Sequence, residues 1–195
     1  MILSISIYNL ISGDIMPISI ARFLNFLFIF VVGGILISSL VIQLFLGELP
    51  CPLCMLQRLA FVCMLIGAVL NLNFGMRTSH YGIILISALF GMAGSVRQIL
   101  LHIVPGTGNY GAPIWGYHMY TWAGIAFFCS LVFSAIMLLQ ERTITLGMIV
   151  QQRDKATRYI TIFAITLSLT LVVLTFAECG LGQCPDNPTR YWLFE

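Results

Sequence analysis

"PCPLCMLQRLAFVCMLIGAVLNLNFG", residues 50–75, decides how the rest of the chain is read. It joins a C-x-x-C, with a proline before and after its first cysteine, to an apolar run whose only charge is Arg58. Such a run fits a membrane-crossing helix, which needs roughly 20 apolar residues. Pro50 and Pro52 stiffen the entry into the run, and Pro52 suits the first turn of a helix. Cys54 then lies near a helix N-terminus, where the dipole favours a thiolate. Arg58 follows Cys54 by one helical turn and shares its face. A cation inside an apolar run is costly and by default functional.

The remaining sequence has the same character. Its 195 residues are 59% hydrophobic and only 8% charged, with a mean hydropathy of +1.00. A soluble domain carries about a quarter charged residues. The shortfall leaves too little polar surface to cover a globule in water, so the composition predicts an integral membrane protein. The net charge of +2 comes without a basic cluster, and no nucleic-acid partner is expected. Charge-poor stretches place five spans at 23–46, 55–75, 80–103, 118–140 and 159–177. Pro105, Gly106, Gly108, Gly111 and Pro113 break the long uncharged stretch between the third and fourth. Each span should be helical, because lipid offers the backbone no hydrogen-bond partners.

The expected fold is therefore an all-α membrane protein, a four-helix transmembrane bundle plus a fifth transmembrane helix. The chain divides into an N-terminal extension (1–22), a four-span core (23–140), a loop (141–158), the fifth span (159–177) and a tail (178–195). The extension lacks a basic region and a small-residue cleavage site. It reads as a surface segment rather than a cleaved signal peptide, and Met1 and Met16 are both candidate starts.

Orientation follows from the cations beside the spans. Arg22, Arg77, Arg142, Arg153, Lys155 and Arg158 fall on one side, and Arg190 on the other. The basic side is expected to be cytoplasmic, with the N-terminus inside and the C-terminus outside. Cys51 and Cys54 then face outward, as do Cys179 and Cys184 in "ECGLGQC" (178–184). Cys63 and Cys129 fall inside spans and are expected to be buried packing residues. Disulfides persist on the outer side. Three readings of the outward pairs are open: two local staples, four thiolates around a zinc, or a redox relay. Staples across such short loops add little stability. The helix end and the cation beside Cys54 favour the relay. A thiol oxidant in a membrane needs a lipid-soluble electron acceptor, and a quinone offers carbonyls to a guanidinium.

"CPLCMLQR" (51–58) and "SVRQILLH" (95–102) resemble the DsbB family, membrane oxidants that pass electrons from thiols to quinone. The resemblance covers about residues 23–140. It implies that Cys54 reacts with quinone, that Cys51 exchanges with a second cysteine pair, and that Arg58 binds near the quinone. It also implies that His102 lies close to the quinone ring. Arg97, one turn before His102, is either a second cation at the headgroup or an interfacial anchor. The implied cofactor is ubiquinone or menaquinone, the implied partner a periplasmic DsbA-like thiol oxidoreductase, and the implied location the bacterial inner membrane.

One departure from the family is large. The family carries its second pair between the third and fourth spans, and here "VPGTGNYGAPIWGYHMYTW" (104–122) has no cysteine. Cys179 and Cys184, after the fifth span, are taken as the second catalytic pair. "RYWLF" (190–194) would lay the tail on the membrane and keep that pair near Cys51. Trp115, Tyr117, Tyr120 and Trp122 read as an interfacial aromatic belt. No metal ligands are assigned. Two other classes stay open. One is a vitamin-K-epoxide-reductase-like enzyme, whose C-x-x-C lies nearer the chain end. The other is a non-enzymatic adaptor, zinc-bound or stapled.

Overall fold

The apolar runs form five α-helices in a computed structural model that describes residues 16–104, 113–140, 144, 154–182, 184 and 191–194. They are α1 (Ile18–Phe45), α2 (Pro52–Phe74), α3 (Thr78–Leu101), α4 (Met119–Leu138) and α5 (Lys155–Cys179). A 3-10 turn, Trp192–Phe194, follows in the tail. No strand occurs among the described residues. All five helices are long and apolar enough to cross a membrane, and the chain is a multi-pass membrane protein. The extension 1–15, residues 105–112 and most of the loop 141–153 lie outside the described residues.

The helix ends differ from the expected spans because a helix stops at a cap or breaker, not where apolarity stops. α2 begins at Pro52, three residues before the expected 55, with Cys51 as its N-cap. α5 begins at Lys155, inside the expected loop, because Asp154 caps it. Thr157 donates to the Asp154 carboxylate from its backbone N–H at 2.9 Å and its hydroxyl at 2.7 Å. Arg22 closes on the same carboxylate at 2.9 Å. These contacts, the Thr157 hydroxyl first, hold Asp154 below the usual carboxylate range.

α2 packs on α3, α3 on α4, and α1 on α2, while α5 lies against α2 and α1. In lipid, close approach of small residues and interhelical hydrogen bonds drive such packing. Gly91 of α3 faces the Phe127 ring so closely that a Cβ there would overlap it. Gly91→Ala is therefore expected to destabilise the bundle by about 1–3 kcal/mol. A lower thermal midpoint in detergent checks this, and an unchanged midpoint would contradict so close an α3–α4 approach.

The end of the bundle away from the cysteine pairs is locked by buried polar groups. Asn25 donates to the Tyr81 hydroxyl at 2.7 Å, and Asn71 donates to Asn25 at 3.1 Å. The Asn71 carbonyl lies 3.1 Å from His80 Nδ1 and accepts from the Arg77 backbone N–H at 3.2 Å. Asn73 reaches Thr161 of α5 at 2.8 Å. Stacking of Phe28 on Phe133, 4.6 Å between centroids, joins α1 to α4 in this half. Among the described residues no aromatic stack joins α1 and α4 at the cysteine end, where residues of both helices line a cavity.

Cys63 and Cys129 correct an expectation. Cys63 is half-buried and Cys129 is exposed on the apolar outer surface. Lipid accepts a small hydrophobic side chain as readily as a protein core does, so a place within a span does not imply burial in the protein.

Candidate active site

The site is built on the first turn of α2. Cys51 caps the helix, its Sγ accepting from the Cys54 N–H at 3.2 Å, and Pro52 occupies the first turn, where the missing N–H costs nothing. Cys51 and Cys54 are joined as a disulfide, with Cα atoms 5.0 Å apart. Cys51 is buried at 4% exposure, and Cys54 is half-buried. From α3, Gln98 turns its amide N–H groups onto both sulfurs, 3.3 Å from Cys51 Sγ and 3.5 Å from Cys54 Sγ. Gln57 donates to the Gln98 carbonyl at 2.9 Å, which fixes the amide with its donors toward the sulfurs. Both glutamines are buried. Donors aimed at a sulfur stabilise its thiolate, and here they do so without adding a charge.

Arg58, one turn below Cys54, is not a free end anchor. Its Nη1 donates to Gln43 Oε1 at 2.6 Å and its Nη2 to the Ser39 carbonyl at 2.9 Å. Gln43 in turn donates to Glu178 Oε2 at 3.2 Å and to the Tyr191 hydroxyl at 3.3 Å. The guanidinium is thus braced from α1, with α5 and the tail behind it.

Cys54, Gln57, Arg58 and Gln98 line one wall of a cavity of about 960 Å³ between α1, α2 and α4. The rest of its lining is mostly apolar, including Val31, Ile35, Ile42, Phe61 and Ala126. Cys54 lines this space and Cys51 does not. Trp115, Tyr120 and Trp122, expected as a belt, line the cavity as well. Trp115 (φ 51°) and Gly116 (φ 82°) form a tight turn closed by two backbone hydrogen bonds between Ile114 and Tyr117, at 2.9 and 3.1 Å.

His102 and Arg97 stand further back. His102 ends α3 and stacks on Tyr120 at 5.6 Å, with His118 at 5.4 Å from the same ring. Tyr120, not His102, lines the cavity. Arg97 is exposed beside Val96, Leu100 and Leu101 in a shallow groove on another face of α3. The residue that α3 turns toward the cysteines is its neighbour Gln98.

The tail pair sits at the same end of the bundle. Cys179 and Cys184 form a disulfide with Cα atoms 4.6 Å apart. The Thr175 hydroxyl lies 3.6 Å from the Met55 sulfur. Cys51 is one turn before Met55 on α2 and Cys179 one turn after Thr175 on antiparallel α5. Both therefore stand about 6 Å beyond that contact, on one level. Gly180 (φ 62°) turns the chain, and Trp192 lies so close over it that a Cβ would come within 2.7 Å of the ring. Trp192 also meets Phe176 edge-on at 6.1 Å, so the tail folds back over the end of α5.

Gln43, Gln57, Gln98 and Glu178 were not expected at the site. The signal for them was present: amides and a carboxylate inside or at the end of apolar helices are expensive unless paired. Cys63 and Cys129 are absent from the cavity wall. Cys63→Ala and Cys129→Ala are expected to keep turnover within about twofold, measured as steady-state thiol oxidation. A large loss in either variant would place that helix face in the site.

The fold and site define a multi-pass membrane protein with a disulfide at a helix N-terminus beside a largely apolar cavity. Residues 21–109, a little under half of the chain, match the family described as Disulfide bond formation protein DsbB. Disulfide bond formation protein B of Xanthomonas axonopodis pv. citri is 35% identical over 78 residues, 37% of this chain and 45% of the relative. The protein of the same name from Pseudomonas syringae pv. tomato is 40% identical over 77 residues, 36% of this chain and 43% of the relative. The match thus spans less than half the length of these relatives. No solved structure matches significantly. The family segment contains Cys51, Cys54, Arg58, Gln98 and His102, and it ends before α4 and α5.

Proposed function

We propose that this protein is a quinone-dependent protein dithiol oxidase. It reoxidises a periplasmic DsbA-like thiol oxidoreductase and passes the electrons to ubiquinone or menaquinone. The carrying observation is that Cys54 and Arg58, one helical turn apart on α2, line one cavity. A quinone headgroup fits the polar wall of Arg58, Gln57 and Gln98, and a prenyl chain fits the apolar remainder.

The donor's dithiol reduces the Cys179–Cys184 disulfide, and the donor leaves oxidised. A tail thiolate then attacks Cys51, and Cys54 departs as a thiolate. The α2 N-terminus, the Gln98 amide and Arg58 stabilise that leaving group. The tail disulfide re-forms as the Cys51–Cys54 pair is fully reduced. Two electrons then pass from this pair to the quinone, its disulfide re-forms, and the two thiol protons end on the quinol oxygens. The sum is donor dithiol plus quinone giving donor disulfide plus quinol. Arg58 orients a quinone carbonyl and opposes the negative charge that develops on it.

The cysteine end is assigned to the periplasmic side of a bacterial inner membrane. The cations Arg22, Arg77, Lys155 and Arg158 at the opposite end support this. The test is the ultraviolet spectrum of purified protein mixed with quinone and a reduced thioredoxin-like donor. Quinol should appear in step with donor disulfide, and its absence would sink the reading.

A further inference from the structure

We propose that Glu178 is a positioning residue for Arg58: acting through Gln43, it is the buried counter-charge that keeps the guanidinium on the cavity wall. The inference rests on the quinone reading above and adds α5 to the quinone site. A guanidinium in an apolar bundle needs an opposite charge or it withdraws toward water. Three acidic residues are described. Asp154 lies at the far end of α5. Glu48 lines the cavity but is exposed. Glu178 is 2% exposed and is joined to Arg58 through the Gln43 amide.

The link between them is polarised. Gln43, 1% exposed, gives its carbonyl to Arg58 and its N–H to Glu178. A flipped amide would set donor against donor and acceptor against acceptor, so cation and carboxylate together fix its orientation. Glu178 also precedes Cys179 directly. One residue pair thus seats the tail disulfide and braces the arginine on the cavity wall. α5 lies outside the segment that matches the family, so the brace comes from a part of the chain the match does not cover.

Quinone reduction driven by a small dithiol isolates this role, because that reductant bypasses the tail pair. Glu178→Gln keeps the shape and removes the charge. It should raise the quinone KM about tenfold, within the range for a coupled polar network, and change kcat far less. Glu178→Asp, which restores a carboxylate, should recover part of the loss. An unchanged or lower KM in Glu178→Gln would overturn the proposal, since Arg58 would then hold its place unaided. If the wild type reduces no quinone, the functional reading fails by itself. The link is then judged by a double-mutant cycle of Arg58→Lys and Glu178→Gln on the thermal midpoint. Non-additive shifts support the link, and additive shifts overturn it.

Discussion

A variant with serine at both Cys179 and Cys184 is expected to lose oxidation of a protein thiol donor down to background. The same variant should still reduce quinone when a small dithiol supplies the electrons. The geometry separates the two activities. Cys51 is buried at 4% exposure under Gln98, with its sulfur serving as the α2 cap. A folded donor cannot bring its own cysteine to that sulfur, whereas a small dithiol can enter through the cavity and attack Cys54. The tail pair stands on the level of Cys51 at the end of the neighbouring helix, and Cys184 is only half-buried. Cys184 is therefore the sulfur assigned to the donor, and Cys179, next to α5, the sulfur assigned to Cys51. Cys179→Ser alone should trap a mixed disulfide between Cys184 and the donor, visible on a non-reducing gel, because the resolving thiol is gone. Normal donor oxidation by the double variant would make the tail disulfide a staple and Cys51–Cys54 the direct acceptor.

Arg58→Ala should lower kcat/KM for quinone by about 10²–10³, the range for removing a preorganised electrostatic partner in a low-dielectric site. Exchange between the tail pair and the donor, followed in a single turnover without quinone, should change little. The variant also strands Glu178 and Gln43 in the bundle. Removing one charge from a hydrogen-bonded network leaves the other without its counter-charge, so the thermal midpoint should fall as well. Arg58→Lys separates the two effects: it keeps the charge, restores much of the stability, and lacks the fork that spans Gln43 and the Ser39 carbonyl. Quinone kinetics unchanged in Arg58→Ala would reduce Arg58 to an anchor at the helix end.

The sequence alone determined the class of fold and the cysteine end of the site. Five charge-poor runs in a chain with 8% charged residues have no stable form but membrane helices. Pro52 and the C-x-x-C spacing set Cys51 and Cys54 at a helix start, and one helical turn set Arg58 below them. These are local effects, carried by hydropathy, φ restriction and helical period.

Which helix face points inward was decided only by the tertiary structure. In a soluble helix the polar face marks the outside. In a bilayer both lipid and protein interior are apolar, so the pattern along a span leaves its rotation open. That is why Gln98 rather than its neighbour Arg97 meets the sulfurs, why Tyr120 stands between His102 and the cavity, and why Cys129 faces lipid. It is also why Glu178 could be seen as a charge at the end of an apolar run, yet not as the partner behind Arg58. The two lie 120 residues apart in the chain, and only the packing of α5 against α1 and α2 brings them together.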